Sequence, residues 1–219
     1  LHDALPIYSY LLLFIFLSLL TISKDQLKIS STIKGKGLKN VINDSYYLFP
    51  SKIIVNGISN ETCGRKCFLD KEDMNNVTII FDRQIDSCEK MFNGLNEIKE
   101  INLSNLDISN VTNMNSMFNG CSNLEKIIFG NINTSSVNNM AFLFYSCSIL
   151  VSIDLSSFNT SCVITMESMF KYCKSLLSID ASRFNTSNVE NMLDIFANCY
   201  KFVCISRKNS YFNHFTNVS

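Results

Sequence analysis

A ladder of five phenylalanines at a constant spacing constrains the fold of this chain more than any other feature. They recur with a constant 26-residue period: Phe92, Phe118, Phe144, Phe170 and Phe196. Around each of them the chain repeats a frame close to V-x-x-M-x-x-M-F-x-x-C-x-x-L-x-x-I-D-L. A period between about 20 and 50 residues indicates one supersecondary unit stacked on copies of itself. The sequence therefore predicts a solenoid. A residue that recurs at the repeat period is interpreted first as one position of the repeat and only then as part of a site.

Each unit is predicted to contain one short helix and one short strand. In the second unit, the apolar residues between Val111 and Cys121 fall at spacings that an α-helix gathers into an arc of about 120°. A period-2 segment such as Ile98-x-x-Ile101-x-Leu103 is typical of a strand with one buried face. The predicted fold is an α/β solenoid of 26-residue strand–loop–helix units. It has a parallel sheet on one face and short helices on the other, and its strands match the opening of the leucine-rich-repeat frame.

Two segments carry a resemblance to a known family: NVTNMNSMFNGCSNLEKI and SFNTSCVITMESMFKYCKSLLSIDAS. With the columns around them, between Cys88 and Phe202, they resemble the BspA-like leucine-rich repeats of cell-surface proteins. The resemblance implies a surface-displayed or secreted binding module that acts in adhesion. It offers no catalytic residue to carry over to this chain.

Four regions are expected along the chain. Residues 1–23 contain the apolar, uncharged stretch Ile7–Ile22, which is shorter than the ~20 residues that span a hydrocarbon core. This stretch favours a cleaved signal peptide, with an uncleaved N-terminal anchor as the alternative. The remaining regions are a non-repeating leading segment or cap (24–76), the repeat array (77–204) and a degenerate repeat or truncated end (205–219). The protein is therefore expected to be secreted or on the cell surface. Contact with a membrane is expected only through Ile7–Ile22 or through a missing C-terminal anchor.

The composition argues against several classes of function. Nineteen basic residues balance nineteen acidic ones, so the sequence indicates no nucleic-acid partner. The two histidines, His2 and His214, lie near the termini, so no Ser/His or Cys/His catalytic centre is expected within the repeat. We expect a non-enzymatic protein without a cofactor.

The side chains that point outward from the predicted strands are the candidate ligand-binding residues. We expect them to bind a protein or a glycan, because stacked units present one column from every strand; the alternative is a structural coat or stalk with no selective ligand. A carboxylate pair such as Asp154 and Asp180 can belong to a glycosidase, but every unit with the I-D-L motif creates it, which favours solvation or cation contact. The predicted face contains Glu100, Asn102, Lys126, Ile128, Ser152, Asp154, Ser178 and Asp180.

The cysteines and sequons give few further site predictions. Four of the nine cysteines recur at the repeat period and are expected in the core. Cys63 and Cys67 are the local pair for a disulfide, with half of a metal site as the weaker alternative, and no complete metal site is predicted. Among the Asn-x-Ser/Thr triplets, Asn43 and Asn60 in the non-repeating segment are the preferred glycosylation candidates.

Overall fold

The computed structural model describes residues 27–180 and 183–205. The predicted signal peptide or anchor therefore lies outside the described residues, as does the segment after residue 205. Along the described residues the strands are β1 (Leu27–Lys34), β2 (Gly37–Asn40), β3 (Lys52–Val55), β4 (Ile58–Ser59), β5 (Lys66–Leu69), β6 (Met74–Ile80), β7 (Ile98–Leu106), β8 (Lys126–Ile128), β9 (Ser152–Ile153), β10 (Ser178–Ile179) and β11 (Cys204–Ile205).

The largest sheet joins the leading segment to the first repeat units. Its six strands lie in the order β4-β3-β6-β1-β7-β8. Strand β1 is antiparallel to β6 on one side and to β7 on the other, whereas β7 and β8 are parallel. Leu27, Ile29 and Ile33 of β1 are buried and alternate with more exposed residues, as the period of two in a strand requires. The leading segment thus covers the edge of the first strand of the repeats.

Two smaller sheets complete the described strands. Strands β9, β10 and β11 are parallel, and paired residues of β9 and β10 lie one repeat unit apart, as in the pairing of Ser152 with Ser178. Strands β2 and β5 form an antiparallel pair in the leading segment. Parallel bridges also join Asn113 to Asn139 and Asn139 to Thr165, so the register of the repeat continues outside the named strands.

The predicted α/β solenoid of the leucine-rich-repeat type is wrong. No helix occurs in the described residues, and the strands lie in small sheets of mixed direction. Where helices were expected, each unit has a series of turns instead. The turn segments, which together we call the turn side, are residues 89–94, 115–120, 141–146, 167–172 and 193–198.

Hydrogen bonding explains why these segments are not helical. In the second unit, the amide of Met117 donates to Met114 O at 3.3 Å, which closes a turn of three residues rather than the four-residue step of an α-helix. The amide of Phe118 donates instead to Leu143 O in the next unit at 3.0 Å. Ser116 and Gly120 have φ of 56° and 76°, a left-handed conformation that a right-handed helix does not contain. Successive amides therefore alternate between their own turn and the next unit.

The phenylalanine ladder packs inside these turns. Phe144 is fully buried and stacks on Phe118 at a centroid distance of 5.7 Å and on Phe170 at 5.4 Å. The interplanar angles are 2° and 16°, so the rings are nearly parallel. The Met and Cys columns beside them are buried as well, including Met140 and Cys147. Because the units stack in register, identical side chains meet one another and form one continuous core.

Candidate ligand-binding face

The eight residues predicted for the ligand-binding face lie on neighbouring strands or directly after them. The register of β7 and β8 places Glu100 opposite Lys126 and Asn102 opposite Ile128. Ser152 of β9 is opposite Ser178 of β10 in the same way. Asp154 and Asp180 follow these two strands, and all eight residues are exposed except Asn102, which is half-buried. Residues opposite each other share one face of a sheet, so the structure brings the predicted residues together in pairs.

The leading segment extends this face, which the sequence analysis did not anticipate. Thr32 of β1 pairs with Glu100, and Ser30 pairs with Asn102. On the other side of β1, Ser30 pairs with Thr78 of β6. The alternation in LKISSTIK and MNNVTII was a usable signal for two strands with one polar face. We call this surface the polar groove; it has a volume of about 320 Å³, and its outward lining includes Ser30, Thr32, Asn76, Thr78, Glu100 and Asn102.

A second groove lies farther along the units. It has a volume of about 430 Å³ and is lined by Ile128, Gly130, Asp154, Ser156 and Arg183, among others. Arg183 Nη1 donates a hydrogen bond to Ser156 O at 3.0 Å, which fixes the guanidinium beside the unit before it. This groove therefore has both a cation and an anion in its lining.

The carboxyl group of Asp154 is held in its ionised form. Hydrogen bonds from the hydroxyl and the backbone amide of Ser156 lower the pKa of Asp154, and they outweigh desolvation and the charge of Asp180, which both raise it. The amide of Ser156 lies 2.9 Å from Asp154 Oδ1. A general acid that works near neutral pH needs a raised pKa, so Asp154 is suited to contact a cation or a hydrogen-bond donor and not to donate a proton.

The two cysteines of the predicted local pair are bonded to each other. Cys63 and Cys67 form a disulfide with their Cα atoms 4.8 Å apart, and Cys67 lies in strand β5. No group of three or more His, Cys, Asp or Glu side chains in the described residues could hold a metal ion. Within those same residues, no helix is long and apolar enough to cross a membrane.

The cysteines of the repeat column are buried thiols. The thiol of Cys147 donates to Phe118 O at 3.3 Å, and that of Cys121 donates to Phe92 O at 3.1 Å. Burial raises the pKa of Cys121 to about 12 and that of Cys147 well above its usual value. A raised pKa keeps a thiol protonated, and the thiolate is the reactive form. These cysteines therefore act as packing residues.

Alkylation can test whether the buried cysteines are less reactive than the exposed Cys162. At pH 8 we expect iodoacetamide to modify the exposed Cys162 in the native protein and to leave Cys121 and Cys147 unmodified, because both are buried with raised pKa values. Peptide mass spectrometry measures the extent of modification at each position. The same reaction in urea is the control and should modify all three; labelling of Cys121 in the native protein would contradict the buried column.

The two preferred glycosylation candidates differ in their surroundings. Asn43 Nδ2, the atom that would carry a glycan, donates to Asn93 O at 2.7 Å. Asn60 Oδ1 accepts hydrogen bonds from the amide and the hydroxyl of Thr62, at 3.1 and 2.7 Å. Attachment at Asn43 would therefore require the loss of a contact between the leading segment and the first repeat unit.

The fold and the polar face define a class: an all-β protein, over its described residues, whose repeat units stack in register and whose strands present polar outward residues on two sheets. The chain belongs to the family described as "Mycoplasma protein of unknown function, DUF285", whose model matches residues 86–208, more than half of the chain. No curated protein and no solved structure matches it.

Proposed function

We propose that this is a non-enzymatic binding protein of the cell exterior that holds a protein or glycan partner on its strand-built polar face. The observation that carries the proposal is the continuity of this face. Strands β6, β1, β7 and β8 are hydrogen-bonded neighbours, so their outward side chains form one surface across both the leading segment and the repeats. The BspA-like resemblance supports an adhesive role and a place on the surface or outside the cell.

The chemistry of the polar groove supports binding by hydrogen bonds. Its outward side chains are mostly hydroxyls and amides, such as Ser30, Thr32, Asn76 and Thr78, with Glu100 as the carboxylate. Hydroxyl and amide groups both donate and accept hydrogen bonds, which suits a polar surface of a protein or a sugar. Strands also hold these side chains more precisely than a loop would.

The proposal can be tested by removing hydroxyls without altering the sheet. The double variant Thr32→Val and Thr78→Val keeps the shape and the β-propensity of both positions. We expect it to weaken binding about tenfold, as for residues that dominate an interface, with an unchanged melting temperature. The measurement is surface plasmon resonance against a panel of immobilised extracellular-matrix proteins and oligosaccharides. The matched control is Thr112→Val, an exposed threonine outside the sheets.

The carboxylates that follow β9 and β10 provide an independent arm of the same experiment. Asp154→Ser combined with Asp180→Ser removes both carboxylates while leaving the residues that pack inward. A loss of affinity in this variant would extend the binding surface to β9 and β10. The alternative is a structural coat or stalk, a role that the continuous core would suit. In that case the wild-type protein should bind no partner saturably, and this result would contradict the proposed binding function.

A further inference from the structure

An aromatic cluster on the turn side stands apart from the strand face. It contains Phe142, Tyr145 and Tyr172, all half-buried. The centroid of Tyr145 lies 5.8 Å from that of Phe142 and 5.4 Å from that of Tyr172. Tyr145 and Tyr172 meet edge to face at 76°, an arrangement that aromatic pairs favour, and Phe142 and Tyr145 are tilted at 59°. The cluster joins the third unit to the fourth.

Two of these aromatic residues occupy backbone positions that disfavour bulky side chains. Phe142 has φ of 57° and Tyr172 has φ of 64°. The stacking of the units imposes this conformation, because the amide of Phe142 donates to Glu167 O and that of Tyr172 donates to Ala197 O in the next unit. A bulky residue with positive φ is an outlier, and such outliers concentrate at functional sites.

The equivalent positions in the other units hold no aromatic residue. The column of Phe142 contains Lys90, Ser116, Ser168 and Asp194, and the column of Tyr172 contains Gly94, Gly120, Ser146 and Asn198. The third position, Tyr145, corresponds to Asn93, Asn119, Lys171 and Ala197. The array therefore folds this turn without aromatic residues elsewhere, and packing of the stack alone does not account for the cluster.

An ion pair lies beside the cluster. Lys171 Nζ lies 5.7 Å from the centroid of the Tyr172 ring. The same ammonium group forms an ion pair with Asp194 Oδ2 at 2.6 Å, and this pair is partly exposed. Tyrosine rings with an adjacent donor and acceptor offer an apolar surface and hydrogen bonds together. A neutral ligand with both C–H faces and hydroxyls matches this combination.

We infer that Phe142, Tyr145 and Tyr172 form a binding site for a neutral sugar on the turn side, separate from the strand face. The C–H groups of a sugar ring pack against the negative face of an aromatic ring. The Lys171–Asp194 pair then supplies one donor and one acceptor for the sugar hydroxyls. Tyrosine provides a large contact area with little loss of side-chain entropy, which suits it to a binding site.

The array itself supplies the test substitutions. Tyr172→Asn introduces the residue of the fifth unit, Asn198, and Phe142→Ser introduces that of the second and fourth units. Asparagine tolerates a positive φ better than tyrosine does, and the second and fourth units fold with serine at the position of Phe142. We therefore expect each melting temperature to stay within about 2 °C of wild type. We expect each variant to bind the sugar at least about tenfold more weakly.

The probe is a panel of neutral oligosaccharides of mannose, galactose, glucose and N-acetylglucosamine, titrated against the full chain by calorimetry. Saturable binding that both variants weaken, and that Tyr200→Asn leaves unchanged, supports the inference; Tyr200 is 73% exposed and outside the ring contacts of the cluster. The absence of binding to any sugar, or a loss of stability in both variants, would overturn it. If sugar binding is lost in the double variant Thr32→Val and Thr78→Val but kept in both cluster variants, the sugar binds on the strand face. That result would also overturn the inference, while agreeing with the proposed function.

Discussion

Phe144→Ala should lower the free energy of unfolding by about 3–5 kcal/mol, the range measured for truncating buried aromatic residues. Phe144 has no exposed surface and stacks between Phe118 and Phe170, so the substitution leaves a cavity at the centre of the ladder. Neighbouring units cannot collapse into that cavity, because backbone hydrogen bonds such as that from Phe118 N to Leu143 O fix their spacing.

Urea unfolding followed by circular dichroism measures this effect, since the chain has no tryptophan to report by fluorescence. Tyr200→Ala is the control, because it removes an aromatic ring that is 73% exposed and should cost less than about 0.5 kcal/mol. If Phe144→Ala unfolds at the same urea concentration as wild type, the stacked core is not what holds the units together.

Thr160→Val should cost about 1–3 kcal/mol although it keeps the volume of the side chain, because it removes two hydrogen bonds that each contribute about 0.5–1.5 kcal/mol. Thr160 is fully buried, and its hydroxyl donates to Asn185 O at 2.9 Å and accepts from Asn185 N at 2.8 Å. Valine leaves both of these backbone groups without their partner inside the protein. The hydroxyl therefore links the loop that contains Thr160 to the loop of the next unit.

Thermal and urea unfolding of Thr160→Val measure this cost. Thr112→Val is the matched control, because Thr112 is exposed, and we expect it to change the stability by less than about 0.5 kcal/mol. Thr134 makes the same pair of bonds to Asn159, so Thr134→Val should repeat the effect. Equal stabilities of Thr160→Val and Thr112→Val would show that the backbone of Asn185 finds other partners.

The helix prediction failed for a reason that the spacing of apolar residues does not reveal. Val111, Met114 and Met117 recur at every third position, which places them on one side of a helix and equally on the inside of successive three-residue turns. Residues with a left-handed backbone conformation exclude the helix. Their positions mix glycines such as Gly94 with side chains that give no signal, such as Ser116 and Phe142. Every second amide of a turn donates to a carbonyl of the next unit, and the helix propensity of a local segment contains no information on such contacts.

The outward face was predicted in part. The paired positions on β7 and β8 followed from alternation within the repeat frame, and the structure places Glu100 opposite Lys126 as an in-register sheet requires. The contribution of β1 and β6 could not be derived, because pairing between residues as distant as Thr32 and Glu100 depends on tertiary packing. The turn-side cluster was missed because Tyr145 and Tyr172 meet only when the units stack.

The sequence by itself determined the register of this protein and the composition of its core. The constant period of the repeat places like side chains above one another, so the phenylalanine, methionine and cysteine columns follow from the repeat alone. Only the tertiary structure decided which backbone conformation carries those columns and how far the polar face extends. The physical reason is that the amides of the turns donate either to carbonyls of their own turn or to carbonyls of the next unit. The second group of acceptors is within reach only once two units are in contact.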